Sequence, residues 1–481
     1  MVDVLLAHAF YISNDTKQRD EKFRPYAPLA TLYAASILRG LDYNVELFDA
    51  TLQDKEEQFR TYLEKHNPRI IVIYEDSFNF LSKMCLNHVR EATIKMVAEA
   101  KRLSVPVIIS SSDASDDPHA YLSKGVDYIM LGEADITVSE LVQSLLSNDS
   151  ANLDSIQGVA YLDAEDKNKV IKTGPRLIMR KIGHIPFPAR DLLDIDSYRM
   201  AWNNTHGYFS MNMVTTRGCP YSCTWCAKPI WGKSYAVRSP ENVAEEMAIV
   251  KQEFSPDHIW FMDDIFGLKP GWVEKFAYEV TTRGAEIPFM IQSRADLMQE
   301  EVVIGLAQSG CKEVWIGAES GSQKVLDAMK KGITVAQIQR ARELLGKNDI
   351  RACFFIQFGY PGETIEDIEA TISLVRTLLP DNIGVSVSYP LPGTEFHEQV
   401  NDQISEKSHW AESNDLEIMF NGTFTSDYYR KLGDFLHRDL DARLNYDENL
   451  DDISALDKEW EELVITADQY MTNAPTSPYP N

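Results

Sequence analysis

The 481-residue sequence is poor in cysteine, with six in all, which argues against a secreted fold held together by disulfides. It also lacks any apolar run of about 18 residues, and this excludes a transmembrane helix. The opening Met-Val-Asp-Val-Leu-Leu-Ala-His has neither the basic stretch nor the cleavage site of a signal peptide and is typical of a buried strand. Together these absences predict a cytoplasmic protein.

Basic residues are also scarce relative to acidic ones. The chain has 47 Lys and Arg against 73 Asp and Glu, a formal net charge of −26. Nucleic-acid binding depends on neutralising phosphates, so an RNA or DNA substrate is disfavoured. The length predicts two to three domains with ample core.

Half of the cysteines stand together, at Cys219, Cys223 and Cys226, in a C-x3-C-x2-C pattern. A tetrahedral zinc site takes four nitrogen or sulfur ligands, and a cubane iron–sulfur cluster normally takes four thiolates. Three thiolates on one tight loop leave one iron open to a ligand that is not protein. The other cysteines, Cys85, Cys311 and Cys353, are scattered singly, so no second ligand pair completes a zinc site, although structural zinc stays an alternative.

The run from Thr216 to Cys226 resembles the cluster motif of the radical S-adenosylmethionine (SAM) enzymes. The resemblance implies a [4Fe–4S] cluster whose open iron is chelated by SAM, and one-electron cleavage of SAM to a 5′-deoxyadenosyl radical. It also implies that Trp225 lies against the adenine. The expected partners are an external reductant such as flavodoxin or ferredoxin and a small-molecule substrate.

Residues 1–147 alternate between apolar strands and helices. Strands are predicted at 2–7, 44–49, 69–74, 105–110 and 128–131, with helices at 28–40, 52–66, 82–103 and 136–147. This alternation predicts a doubly wound parallel sheet whose ligands bind at the carboxyl ends of the strands.

The stretches 24–35 and 125–135 resemble the cobalamin-binding domain fused to many radical SAM enzymes. Two departures matter. The D-x-H-x-x-G motif, whose histidine ligates cobalt, is absent after the first strand. Ser110 and Ser111 replace the usual glycine pair, and glycine is what permits close backbone approach. Cobalamin binding without a protein histidine is therefore predicted, with a domain that has lost its ligand as the alternative.

Residues 148–210 are predicted to form a β-hairpin and a linker. Residues 211–400 contain six further strand–helix units, with strands near 212–216, 258–263, 287–292, 312–317, 351–358 and 382–388. Six units predict an open, partial barrel like the radical SAM core, since a closed barrel needs eight. Residues 401–481 are predicted to be a helical extension with a disordered Pro-rich tail.

Polar residues follow the predicted barrel strands, where such folds place their sites. The resemblance implies that they bind SAM: Asp263 or Asp264 its ammonium, Arg294 its carboxylate, Glu319 its ribose, and Gly359 the turn beside the adenine, with Ser320 a further cofactor-binding residue. A solvated helix cap is the alternative for each carboxylate. No catalytic residue is assigned.

Up to about residue 400, the chain resembles the group that includes the anaerobic magnesium-protoporphyrin ester cyclase and hopanoid-modifying enzymes. This predicts a cobalamin-dependent radical SAM enzyme that methylates or cyclises a small molecule at an unactivated carbon. The first alternative is a radical SAM enzyme without cobalamin. A methylthiotransferase-like enzyme and a non-catalytic iron–sulfur sensor are weaker alternatives, the former because its N-terminal domain needs three more cysteines.

Overall fold

The structure is a computed structural model that describes residues 2–53, 57–79, 87–147, 153–228, 230–404, 416–445 and 450–472. The chain divides into two compact units. The first comprises Met1–Cys219, Lys228–Asp263 and Arg283–Ile287, and the second comprises Pro220–Ala227, Asp264–Thr282 and Pro288–Asn481. Cys85 and the tail from residue 473 lie outside the described residues, and the domain bounds given above stay a prediction.

The first unit contains a seven-stranded sheet. Its strands are Val4–Ala7 (β1), Val45–Phe48 (β2), Ile70–Tyr74 (β3), Val107–Ser110 (β4), Tyr128–Met130 (β5), Val159–Leu162 (β6) and Val170–Lys172 (β7). They lie in the order β2-β1-β3-β4-β5-β6-β7, and β1 to β5 are parallel. All five residues of β3 are buried, as its continuous apolar sequence predicts for a central strand. The doubly wound parallel sheet is therefore confirmed.

The hairpin of β6 and β7 extends this sheet. β6 pairs antiparallel with β5 and β7 antiparallel with β6. The sequence predicts the hairpin but not its partner, because an alternating strand does not identify the edge against which it pairs.

Helices follow the strands of the first unit. They are Leu29–Arg39 (α1), Glu57–His66 (α2), Asn87–Arg102 (α3), Ser112–Asp116 (α4), Pro118–Leu122 (α5), Asp135–Leu146 (α6), Ile195–His206 (α7) and Pro240–Phe254 (α8). The Ser239 side chain caps α8 by accepting from Asn242 N. The sequence analysis missed α7, and it missed α4 and α5, which have only five residues each.

Four short strands complete the first unit: Ser210–Met213 (β8), Thr216–Arg217 (β9), Ala236–Val237 (β10) and His258–Phe261 (β11). β8 pairs parallel with β11, and β9 pairs antiparallel with β10. β8 and β11 are the first two of the six predicted barrel strands.

The second unit contains the other four barrel strands, Phe289–Ser293 (β12), Cys311–Glu319 (β13), Arg351–Phe358 (β14) and Asn382–Val387 (β15). Successive members pair parallel, from β12 to β15. The helices that follow α8 are Trp272–Arg283 (α9), Glu300–Ser309 (α10), Gln323–Ala328 (α11), Val335–Lys347 (α12), Ile365–Leu378 (α13), Glu395–Val400 (α14), Ser426–Leu444 (α15) and Leu450–Ile465 (α16). Of the helices in the described ranges, none combines the length and apolarity that crossing a membrane requires.

Candidate active site

The loop that carries the three cysteines starts at the ribbon of β9 and β10. Gly218 follows β9 directly and has a φ of +76°. A Cβ added to Gly218 would lie 2.4 Å from the carbonyl oxygen of Ser234. Both the positive φ and the close approach require glycine. The residue before Cys219 is therefore held in one place by backbone packing.

Arg217 fixes the same end of the loop by electrostatics. Its Nη1 donates to Glu133 Oε1 at 2.6 Å and to Asp135 Oδ2 at 2.7 Å, and its Nη2 donates to Asp135 Oδ1 at 3.0 Å. All three side chains are buried. Burial opposes the charge on Arg217, but the two carboxylates outweigh it and raise the pKa of the guanidinium.

The thiols on the loop differ from the core thiols in exposure. Cys219, Cys223 and Cys226 are half-buried, whereas Cys311 and Cys353 are buried, and no described cysteine forms a disulfide. Burial raises the pKa of the two core thiols far above the ordinary range, so they do not supply thiolates. Among the described residues, no set of three His, Cys, Asp or Glu side chains is arranged as a metal site.

Thr224 anchors the far part of the loop. Thr224 N donates to Met329 O at 3.0 Å, and the hydroxyls of Thr224 and Tyr360 lie 2.7 Å apart. Phe396 N donates to Thr224 O at 3.0 Å. The loop is thus tied to three separate segments of the second unit.

Arg294 follows β12 and lies over the ring of Tyr221, with Cζ 3.7 Å from the ring centroid. Its Nε donates to Asp296 Oδ1 at 2.9 Å, and its Nη1 donates to Lys331 O at 2.8 Å. Its Nη2 donates to Asp296 Oδ2 at 3.2 Å and to Gly332 O at 3.3 Å. The predicted contact with a ligand carboxylate stays a prediction, and the structure shows that all three nitrogens already have protein partners.

Glu319 forms a buried ion pair with a residue that the sequence analysis did not select. Lys331 Nζ donates to Glu319 Oε1 at 2.6 Å, and both side chains are at most 8% exposed. Lys331 also lies 5.9 Å from the Trp225 ring centroid. Burial disfavours its ammonium form, but Glu319 and the nearby Cys223 outweigh burial, so the pKa of Lys331 is raised.

The backbone at the end of β13 has an unusual conformation that accommodates the Glu319–Lys331 ion pair. Glu319 has a φ of +61°, and the register with β14 shifts between Gly317 and Glu319. A Cβ on Gly317 would lie 2.5 Å from Lys331 Nζ and 2.7 Å from Glu319 Oε1. A left-handed glutamate is strained, and such strain concentrates at functional sites.

Ser320 and Gly359 lie within turns of the second unit. The hydroxyls of Ser320 and Thr371 are 3.0 Å apart, and Ser320 Oγ accepts from Ser322 N at 3.1 Å. Gly359 has a φ of +74° and donates its N–H to Glu363 Oε2 at 2.6 Å. Both residues shape strand-end turns, and their predicted contacts with SAM stay predictions.

Asp263 follows β11 and is buried, whereas Asp264 is exposed. Asp263 Oδ1 accepts from Thr215 N at 2.7 Å and from Thr216 N at 2.9 Å, and its Oδ2 accepts from Thr215 Oγ1. Burial raises the pKa of Asp263 to about 6 although these hydrogen bonds lower it. The carboxyl thus holds the backbone that leads into the cysteine loop, and its predicted contact with the SAM ammonium group is untested.

Comparison with known proteins agrees with this arrangement. The model of the radical SAM superfamily matches residues 213–375. The chain contains a radical SAM domain. This domain includes the three cysteines, Arg294 and the Glu319–Lys331 pair.

Relatives of this chain include proteins named as methyltransferases and cyclases. An uncharacterised methyltransferase of Pyrococcus horikoshii is 27% identical over 411 residues, which cover 84% of this chain and 85% of the relative. The anaerobic magnesium-protoporphyrin IX monomethyl ester cyclase of Rubrivivax gelatinosus is 25% identical over 58% of this chain, and the match spans 50% of the cyclase.

Two solved structures share the fold. The radical SAM methyltransferase TsrM from Kitasatospora setae, solved with cobalamin and a [4Fe–4S] cluster, has a TM-score of 0.68 at 19% identity and covers 84% of this chain and 75% of its own. The cobalamin-dependent radical SAM enzyme OxsB, solved with aqua-cobalamin, has a TM-score of 0.70 at 20% identity over 92% of this chain and 67% of its own. The predicted fold class is therefore confirmed.

The N-terminal sheet carries a pocket at its carboxyl edge. Glu75, Ser110, Ser111, Arg217 and Trp231 are among its lining residues. Glu75 Oε1 accepts from Ala9 N at 2.8 Å, while Oε2 is buried and has no hydrogen-bond partner among the described residues. Burial raises the pKa of Glu75 to about 7. A buried polar atom without a protein partner is a candidate contact for a ligand or a water.

Three residues of these sites were missed by the sequence analysis. Glu75 ends a predicted parallel strand, so its position alone was a usable signal. The sequence contains no comparable signal for Arg217 or Lys331. Lys331 stands beside Lys330, and two adjacent lysines ordinarily indicate a solvated surface.

Glu363 makes the stability of the second unit depend on pH. Burial raises its pKa to about 8 from an ordinary value of 4.5, and Oε1 has no hydrogen-bond partner within the described chain. Between these values the folded chain holds a proton that the unfolded chain has lost, so the free energy of unfolding falls as pH rises. Glu363→Gln should remove this dependence and stabilise the protein at pH 8 by about 1–3 kcal/mol.

The measurement is the urea midpoint at pH 5.5 and at pH 8. Glu366→Gln, at an exposed position three residues away, is the control and should behave as wild type in this range. An equal drop between the two pH values in wild type and in Glu363→Gln would show that Glu363 is charged in the folded state.

Proposed function

We propose that this chain is a radical SAM enzyme that methylates or cyclises a small molecule at an unactivated carbon, with a [4Fe–4S] cluster, SAM and cobalamin as cofactors. The observation that carries the proposal is the cysteine loop. It presents three partly exposed thiols and lies beside a buried ion pair at the end of β13. The methyltransferase and cyclase relatives support the reaction class.

Cys219, Cys223 and Cys226 would hold the cluster through three of its irons. The donor set fits, because thiolates are the usual ligands of iron–sulfur clusters and the core cysteines are buried. When bound, the cluster supplies the electron for reductive cleavage of SAM. An external reductant such as flavodoxin or ferredoxin would provide that electron. The residues of the chain bind and orient the ligands: Gly218 and Thr224 hold the loop in place.

The SAM site would be built on the second unit. Trp225 would lie against the adenine, Glu319 and Ser320 would contact the ribose, and Gly359 would shape the turn beside them. The indole Nε1 of Trp225 is buried without a hydrogen-bond partner in the described chain, which supports a ligand at this position. The predicted contact of Asp263 or Asp264 with the ammonium group of SAM stays a prediction.

Cobalamin would bind at the carboxyl edge of the N-terminal sheet. Glu75 Oε2, which has no hydrogen-bond partner among the described residues, would accept a hydrogen bond from a ligand rich in amide donors, such as a corrin. His8, which follows β1, has protein partners at its Nε2, which lies 2.9 Å from Asp49 Oδ1 and 3.0 Å from Ala50 N. This supports binding without a protein histidine. TsrM and OxsB, which share the fold, were solved with cobalamin.

A radical SAM enzyme without cobalamin is the second candidate. Ser111 caps α4 by accepting from Ala114 N at 3.0 Å, and Asp113 is paired with Arg90. The polar groups of this segment already have hydrogen-bond partners within the protein. They therefore do not require contacts with the tail of a bound cobalamin. We propose the cobalamin-dependent enzyme because Glu75 Oε2 has no such hydrogen-bond partner among the described residues.

Anaerobic purification with added hydroxocobalamin tests the choice. Wild type should retain corrin through gel filtration, and its Co(II) spectrum should lack nitrogen superhyperfine splitting from a histidine. Glu75→Ala should weaken corrin binding about 10-fold, the loss of one hydrogen bond to a polar group in a dry site. Glu64→Gln, on the exposed face of α2, is the control.

Measurements on the same purified sample distinguish the cobalamin-dependent enzyme from the enzyme without cobalamin. Iron content and 5′-deoxyadenosine formation with no retained corrin would favour the enzyme without cobalamin. Absence of both the cluster and SAM cleavage after reconstitution would refute the proposed function.

A further inference from the structure

The sheet of the second unit has two unlike faces. Side chains alternate along a strand, so register partners in neighbouring strands share one face. One face carries Val314, Phe354 and Ile356, which are fully buried. The other face is half-buried for most of its length, and we call it the open face. Its members are the register partners Gln292 and Trp315, Phe355 and Gly384, and Gln357 and Ser386.

The open face continues into the proposed SAM site. Gly317 pairs with Phe355 across β13 and β14, so it belongs to the same face. A Cβ on Gly317 would lie 2.5 Å from Lys331 Nζ, and this ammonium lies 5.9 Å from the centroid of the Trp225 ring. A molecule on the open face would therefore lie next to the residues proposed to hold SAM.

Two stacked aromatic rings form the middle of the open face. The ring centroids of Trp315 and Phe355 are 4.8 Å apart at an interplanar angle of 29°. Trp315 Nε1 donates to Glu313 Oε1 at 2.7 Å, which fixes the indole and satisfies its N–H. A Cβ on Gly384 would lie 3.3 Å from the Phe355 ring and 3.4 Å from the Trp315 ring, so glycine keeps a side chain from crowding both rings. Such a surface favours a flat ring.

Polar atoms without partners lie beside these rings, toward the carboxyl ends of the strands. Gln357 stands two residues after Phe355 and is 4% exposed, and its Oε1 has no hydrogen-bond partner among the described residues. Ser388 directly follows β15, where its N–H donates to Phe358 O at 2.9 Å. Its Oγ is also buried without a partner in the described chain. A buried polar group is costly unless it forms a hydrogen bond, so these two atoms are candidate ligand contacts.

We propose that the open face binds the substrate, and that the substrate is a small molecule with a flat, uncharged, unsaturated ring that carries a hydrogen-bond donor. The ring would lie on Trp315 and Phe355, and the donor would reach Gln357 or Ser388. Gln292, Gln357 and Ser386, which flank the rings, carry no charge that would compensate an ionised ring. This inference rests on the proposed function, since it names the substrate class of that site.

Three probes of similar size test this class in the full-length, cluster-reconstituted protein with SAM and without reductant. 2-Naphthamide is flat and neutral and carries an N–H donor. Decahydro-2-naphthamide keeps the amide but is not flat, and 2-naphthoate is flat but anionic and has no donor. Dissociation constants are measured by anaerobic equilibrium dialysis. The thermal midpoint of each variant is recorded without probe, so that a misfolded sample is recognised.

Wild type should bind 2-naphthamide more tightly than either of the other probes. Phe355→Leu should weaken 2-naphthamide about 2- to 10-fold, the range for one aromatic contact, and leave decahydro-2-naphthamide within about 2-fold of wild type. Phe354→Leu is the matched control, because Phe354 is the preceding residue on the buried face. It should lower the thermal midpoint and leave the binding of all three probes unchanged.

Gln357→Met separates a binding role from a structural one. It removes a buried polar group that has no partner in the described chain, so the thermal midpoint of the probe-free protein should rise. The same change should weaken 2-naphthamide about 2- to 10-fold, through the loss of one hydrogen bond.

The inference is overturned if wild type binds none of the probes or prefers one of the other two to 2-naphthamide. It is also overturned if Phe355→Leu and Phe354→Leu weaken 2-naphthamide equally, or if Gln357→Met binds it like wild type. Formation of 5′-deoxyadenosine on adding reductant to the same protein keeps the two proposals apart. SAM cleavage without probe binding would overturn only the substrate class, whereas a chain that neither assembles a cluster nor cleaves SAM would refute the proposed function.

Discussion

Replacing Cys223 with alanine is expected to abolish SAM cleavage while the fold is retained. The variant leaves two loop thiols for a cluster that needs three protein ligands, and the half-buried position has little packing to lose. The measurements are iron and sulfide content after reconstitution, the visible absorbance of the cluster and the yield of 5′-deoxyadenosine. Cys219→Ala and Cys226→Ala should give the same result.

Cys311→Ala and Cys353→Ala are the controls. Both residues are buried in β13 and β14, where a thiol acts as a small apolar side chain. They should cost about 1–2 kcal/mol of stability and leave the cluster and SAM cleavage unchanged. If Cys219→Ala still cleaved SAM at the wild-type rate, the assignment of the cluster ligands would be wrong.

Arg217→Met is expected to destabilise the first unit by about 3–5 kcal/mol, the usual loss when one partner of a buried ion pair is removed. The change leaves Glu133 and Asp135 buried without their cation. Burial already raises the pKa of Glu133 even with Arg217 present. In the variant Glu133 should keep its proton to a still higher pH, so the loss should be larger at pH 8 than at pH 6.

Urea unfolding followed by tryptophan fluorescence at the two pH values measures this loss. Arg39→Met removes an exposed pair with Asp191 and should cost at most about 1 kcal/mol. The triple variant Arg217→Met, Glu133→Gln, Asp135→Asn should recover part of the stability, because no buried charge is left unpaired. A loss in Arg217→Met no greater than in Arg39→Met would show that the network contributes little.

The sequence predicted most elements of the fold because the strands are short, apolar and separated by clear helix signals. Ile70–Tyr74 and Arg351–Phe358 lie where the predicted strands lie. The predictions were weaker for short elements such as Ser112–Asp116, where one turn of helix gives no periodic pattern.

By itself, the sequence determined the cysteine triplet, the doubly wound sheet, the six further strands and the radical SAM resemblance, because these depend on spacing and periodicity along the chain. Only the tertiary structure determined which charged side chains form ion pairs. Glu319 and Lys331 are twelve residues apart and Arg217 lies more than eighty residues from Asp135, so their contacts follow from packing. A buried charge is stable only beside its partner, and that partner is visible only once the chain is folded.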